Sequence, residues 1–277
     1  MEVYQIIILV VGIVLFLGLI TGIILTMYIA NQVFNGTLVR VNKDTWARTC
    51  PFPENEENAK MWEIGLAWGK ENQEFKKEVS ISNKTLKLCG EFFDFGNNKT
   101  VIIVHGRTDN LWYSYYYAKP YRECGYNVLV IDARAHGNSE GKYNSCGIKE
   151  SDDLIAWMEY LHNELKQEEI ICHGICVGGA ASVLAGCKEN TPDYYKAIIV
   201  DGLFSSFKDI YADHFKESGH KLFPVFYEVW ILFYLKNKVS IKKSYPNRYV
   251  HKLKPKILYL YSREDKYSRA KKSMDLY

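Results

Sequence analysis

From residue 6 to residue 30 the chain carries no charged side chain and almost nothing polar. At about 1.5 Å per residue, a helix of that length exceeds the roughly 30 Å hydrocarbon layer of a bilayer, so the run predicts one membrane-spanning helix. A cleavable secretory signal would instead show a basic start, a shorter apolar stretch and a small-residue cleavage motif. Here only Glu2 precedes the run, and no such motif follows it. The pattern therefore divides the chain into an anchor over 1–31, a polar linker over 32–60 and a folded domain over 61–277.

Within that domain the periodicity changes repeatedly. An apolar stripe around Met61, Trp62, Ile64, Leu66 and Trp68 predicts a short helix, and strand-like runs follow at 78–81 and 86–95. Short apolar strands are then expected at 100–104, 126–131, 169–172, 196–200 and 256–261. Helical patterns lie at 113–123, 148–165 and 177–186. Strands alternating with helices imply a mostly parallel sheet covered on both faces, an α/β fold. An aromatic-rich insertion over 202–254 separates the last two strands and reads as a helical lid. Its apolar run at 225–235 is too short to span a membrane.

Charge changes this picture little. The net charge is +3, with only paired lysines as basic clusters, so nucleic acid is not an expected partner. Arg40, Lys43 and Arg48 follow the apolar run and no Lys or Arg precedes it, which places the large domain in the cytoplasm of a single-pass protein. Asn35, Asn83 and Asn98 each begin an N-x-T triplet, relevant only to an extracytoplasmic domain. The seven cysteines are odd in number and scattered, which suits a reducing compartment. Cys172 and Cys187 read as buried core. No spacing suggests a metal site, and no organic cofactor is implied.

Chemistry concentrates in two strings. Gly174-Ile175-Cys176-Val177-Gly178-Gly179 ends a strand and opens a helix, the setting of a nucleophile elbow. Cys176 takes the nucleophile position there. The helix N-terminus is expected to lower its thiol pKa. His105-Gly106-Arg107 ends the first central strand. The backbone amides of Arg107 and Val177 are then the candidate oxyanion donors.

With these strings, the sequence resembles the bacterial α/β-hydrolases of the serine aminopeptidase and monoacylglycerol-lipase-like group, often anchored at the N-terminus. The resemblance rests also on Asp132-Ala-Arg134-Ala-His136-Gly137-Asn-Ser139-Glu-Gly141, on Glu150, Asp153 and Trp157, on Asp201, and on the run from Leu258 to Asp265. It covers roughly residues 60 to 277. It implies that His136 and Ser139 shape a loop and are not catalytic. It implies an acyl-enzyme mechanism on ester, thioester or small peptide bonds, with Asp265 as the acid and Asp201 as a weaker substitute.

Two departures stand out. Cysteine replaces the usual serine. The family histidine falls well beyond the acid, whereas the sequence runs only twelve residues past Asp265. The expectation is a chain lacking the family's last strand and helix, with activity impaired. His173 is expected to point away from Cys176, and His162 to lie on a surface helix. His214, His220 or His251 would reach the site only from the insertion. The alternative function is an inactive membrane-anchored module that binds lipid or protein.

Overall fold

The computed structural model describes residues 2–40, 49–50, 52–262 and 265. Lys43 and Arg48, used in the charge argument, lie outside them. In chain order the elements are α1 (Val3–Leu38), α2 (Glu56–Glu71), β1 (Lys76–Asn83), β2 (Leu86–Phe93), β3 (Lys99–Val104), α3 (Leu111–Ser114), α4 (Ala118–Glu123), β4 (Asn127–Ile131), α5 (Glu150–Asn163), β5 (Glu169–Ile175), α6 (Val177–Gly186), β6 (Tyr195–Asp201), α7 (Phe207–Glu217), α8 (Val225–Asn237), α9 (Pro246–Tyr249) and β7 (Lys256–Leu260).

The strands form one sheet in the order β1-β2-β4-β3-β5-β6-β7. β1 and β2 join antiparallel, and the five strands from β4 to β7 are mutually parallel. Period-two alternation explains why the central strands read as unbroken apolar runs. On β3, Val101 and Ile103 pack beneath α2, α3 and α4, while Ile102 and Val104 face α5, α6 and the insertion. Both faces are therefore buried. Among the described residues β7 is an edge strand, and Leu258 and Leu260 on it and Tyr261 just after it are exposed.

Three expectations change. The helix expected over 113–123 is two short helices joined by a tight 3-10 turn at 115–117. Cys187 is only half-buried, whereas Cys172 is fully buried. The anchor does not end at 31 and give way to a linker, because α1 continues unbroken to Leu38. Ala30, Phe34 and Leu38, four residues apart on one helix face, are buried in the core that also holds Phe226, Val229, Trp230 and Phe233 of α8. The linker reading rests on the polar stretch from residue 50 to residue 58, whereas residues 32–38 are helical and hold apolar positions that serve the domain.

Past α1 the chain is pinned again. The Asn144 amide donates to the Leu38 carbonyl, and the Arg40 amide to that of Lys142. The Arg40 guanidinium donates to the carbonyls of Ser139 at 2.6 Å and Gly137 at 2.5 Å. Arg40→Ala is expected to lower stability by about 1.5–3 kcal/mol, the range for hydrogen bonds made by a charged group. Thermal unfolding in detergent micelles measures it, and an unchanged midpoint contradicts it.

Candidate active site

β5 ends at Ile175 and α6 begins at Val177, so Cys176 alone makes the turn. Its backbone holds φ 49° and ψ −107°, a strained conformation for a residue with a side chain. Close packing allows the turn. A Cβ on Gly178 would lie 2.2 Å from the Val104 carbonyl oxygen and 2.7 Å from that of His105, so only glycine fits where α6 crosses β3. The Cys176 amide donates to the Asp201 carbonyl at 2.8 Å, and the Cys176 carbonyl accepts from Ala180 at 3.1 Å.

Cys176 opens onto a cleft of about 720 Å³ at the carboxyl ends of β3, β5 and β6. That is where open α/β sheets place their sites. Gly106, Arg107, Thr108, Asp109, Tyr113, Tyr117, Ile175, Asp201, Gly202 and Asp265 share it with Cys176. Two results differ from the sequence reading. Of the insertion, only Gly202 lines the cleft, so the lid covers no part of it. Phe52, Glu54, Asn55 and Asn58, assigned above to a linker, form its outer wall. Their Pro- and acid-rich pattern matches a loop anywhere and carries no signal of that role.

The candidate acid and nucleophile do come together, since Asp265 and Cys176 line one cleft. Burial raises the pKa of Asp201, and the facing Asp265 raises it further. Among the described residues no histidine lines the cleft. His105 donates from Nδ1 to the Gly106 carbonyl at 2.6 Å and accepts the Ala133 amide on Nε2 at 3.0 Å. His136 contacts the Arg134 and Arg107 carbonyls. Both rings are thus occupied in shaping loops, and Ser139 likewise donates to the Asp132 carbonyl. His173 faces α4, where Nδ1 meets the Tyr121 hydroxyl at 2.9 Å. His162 stacks on Tyr194.

The electrostatics overturn one expectation. Burial pushes the Cys176 thiol up to about 11, although the Arg107 guanidinium and the Val177 amide at the sulfur both work to lower it. The helix N-terminus therefore loses to desolvation. Arg107 also reaches the end of the long N-terminal helix, donating to the Thr37 carbonyl at 2.7 Å.

Asp109 is the second perturbed group. Burial raises it from 3.8 to about 6, against the lowering effect of the Gly106 amide and Arg107. The folded state thus holds this proton more tightly than the unfolded chain does. Stability falls as pH rises from about 4 to about 6, by on the order of 3 kcal/mol in all. Asp109→Asn is expected to flatten that slope and to gain roughly 1–3 kcal/mol at neutral pH. Urea unfolding across this range measures both, and an unchanged slope rejects the assignment.

This sheet order, with a strained residue between β5 and α6 facing a cleft at the strand ends, is the α/β-hydrolase fold. The family model for the alpha/beta hydrolase fold matches residues 99–224. The chain is 29% identical over 183 residues to the uncharacterized protein YqkD of Bacillus subtilis, a match spanning 64% of this chain and 59% of YqkD. It is 27% identical to protein bem46 of Schizosaccharomyces pombe over 47% of this chain and 44% of that protein. The chain thus spans about half the length of these relatives. Among solved structures, the Pyrococcus furiosus esterase Pf2001 superposes with a TM-score of 0.62 at 26% identity, covering 76% of this chain and 78% of the esterase. The chain has the α/β-hydrolase fold, preceded by a long apolar N-terminal helix.

Proposed function

We propose that the protein is a membrane-anchored acyl hydrolase that acts on small activated esters or thioesters through Cys176. One observation carries the reading. Cys176 holds the strained strand-to-helix turn of a nucleophile elbow and faces the cleft, with the Val177 amide at its sulfur. As thiolate, Sγ attacks the acyl carbon and forms a C–S bond. The amides of Arg107 and Val177 receive the oxyanion. Its collapse breaks the bond to the leaving alcohol or thiol, which takes a proton from water. Water then cleaves the acyl-enzyme, releasing the acid and the thiol. Asp265 is the candidate acid lining the same cleft. Because a thiol near 11 is rarely ionised at neutral pH, good leaving groups are favoured over peptide bonds.

The anchor reading draws on α1. Its most apolar 18-residue window has a mean hydropathy of 3.1 and none of it is buried. Its last residues, from Ala30 on, belong to the domain core, so only cleavage past that point would cut into the core. The charge bias after α1 favours a cytoplasmic domain.

The test is intact-mass analysis after p-nitrophenyl acetate treatment. An acetyl adduct mapped to Cys176, absent in Cys176→Ala, supports the proposal. An adduct elsewhere or none sinks it. A second reading is binding without turnover, as an inactive module. The high thiol pKa and the absence of a histidine from the described cleft lining favour it. Binding of an ester with neither an adduct at Cys176 nor nitrophenol release would select it.

A further inference from the structure

We propose that the exposed face of α8 and the turn before it lie in the membrane interface, beside α1, as a second contact with lipid. The proposal rests on the reading of α1 as an anchor. α8 is apolar on both sides. Phe226, Val229, Trp230 and Phe233 are buried against the core and α1, whereas Tyr227, Ile231, Tyr234 and Leu235 are each about half exposed or more. Those four form a stripe at i, i+4, i+7 and i+8, which is one helix face. Phe223, at the tip of the hairpin between α7 and α8, is 79% exposed. A soluble surface rarely leaves so continuous an apolar patch uncovered.

The position of the patch says what covers it. The Thr26 hydroxyl donates to Glu228 Oε1 at 2.8 Å, which fixes the start of α8 at the level of residue 26 of α1. At its other end, Asn237 donates to the Asn144 carbonyl, and the Asn144 amide donates to that of Leu38. The two helices therefore run alongside in the same direction. A span of about 20 residues beginning at Val3 ends near Ile23, so Phe223 and Tyr227 sit at the boundary between hydrocarbon and headgroups. Aromatic side chains concentrate at that depth. Charge around the patch is mixed, Lys208, Lys216 and Lys221 being offset by Asp209, Asp213, Glu217 and Glu228, so the apolar stripe rather than charge is what meets lipid. The lipid that surrounds α1 thus continues onto α8.

Photocrosslinking in proteoliposomes tests this on the full chain. The photoreactive residue p-benzoylphenylalanine replaces Phe223 or Tyr227, with Leu258 on β7 as the negative site and Ile13 in α1 as the positive one. The vesicles are phosphatidylcholine. Lipid adducts at 223, 227 and 13 but not at 258 support the proposal. Adducts at 13 without any at 223 or 227 overturn it and leave the anchor standing. Adducts at 223 or 227 that join two copies of the chain overturn it in favour of a dimer. The lack of adducts at 13 removes the anchor itself, and this proposal with it.

Discussion

Ester cleavage by the wild-type chain is expected to climb about tenfold per pH unit from roughly pH 7 to 10 and to level off near pH 11. The reason is the thiol of Cys176, which burial holds at about 11. At pH 7 only about one molecule in ten thousand then carries the reactive thiolate, and each added pH unit multiplies that fraction by about ten. Cys176→Ala is expected to lower the rate at pH 10 by at least about two orders of magnitude and to abolish the climb above buffer hydrolysis. Cys176→Ser should sit near the alanine variant, because the still weaker acidity of a hydroxyl leaves it protonated throughout. Stopped-time p-nitrophenyl acetate assays, corrected for hydroxide hydrolysis, give the profile. A bell centred near neutrality would mean that another group shares the proton with Cys176.

A second large effect concerns stability and lies away from the cleft. Asp153→Ala is expected to cost about 3–5 kcal/mol, the range for breaking a buried ion pair by removing one partner. Arg134 donates to both Asp153 oxygens, Nε and Nη2 each at 2.6 Å, and Asn83 adds a third bond at 2.7 Å. Arg134 is 9% exposed and Asp153 4%. Without Asp153 the guanidinium stays buried, with the Lys149 carbonyl as its other partner. Burial raises the Asp153 pKa despite the arginine, whereas the Asp153 hydrogen bonds and charge hold Arg134 protonated, so the desolvation cost falls on the carboxylate. That predicts a contrast. A paired apolar replacement, Arg134→Met with Asp153→Leu, should cost much less than Asp153→Ala alone. Thermal unfolding in detergent should drop by about 10 °C for the single change. Equal losses for the single and paired variants would show that packing, not the ion pair, sets the cost.

What the sequence made legible follows from period and spacing. Strands buried on both faces read as short apolar runs, so β3, β4, β5 and β6 appear within a few residues of their bounds. The turn at Cys176 was visible because Gly174 and Gly178 leave no alternative to close packing around it. The Asp132 to Gly141 string was equally plain, since its loop satisfies itself locally: the Asp132 carboxylate takes the amides of Leu111 and Asn138. Long-range facts were hidden. Nothing in Phe52, Glu54, Asn55 and Asn58 reveals that they wall the cleft, because that wall is set by where α2 docks. The thiol pKa was misjudged because helix position is local and readable, while burial depends on neighbours from several elements. The place where the apolar helix joins the domain was hidden for the same reason: Phe34 and Leu38 look like linker positions until α8 supplies a partner.

That last point bears on anyone who wants a soluble version of this protein. The convenient cut, just after the apolar run at residue 31, would leave seven helical residues and discard Ala30. Such a stub is too short to hold its own helix. Phe34 would then have to stay seated without the turn above it, and the Thr37 carbonyl that receives Arg107 would be set on a frayed end. A cut between Ile23 and Thr26 keeps the Thr26 bond to Glu228 and every buried position of α1, and it removes only exposed residues of that helix.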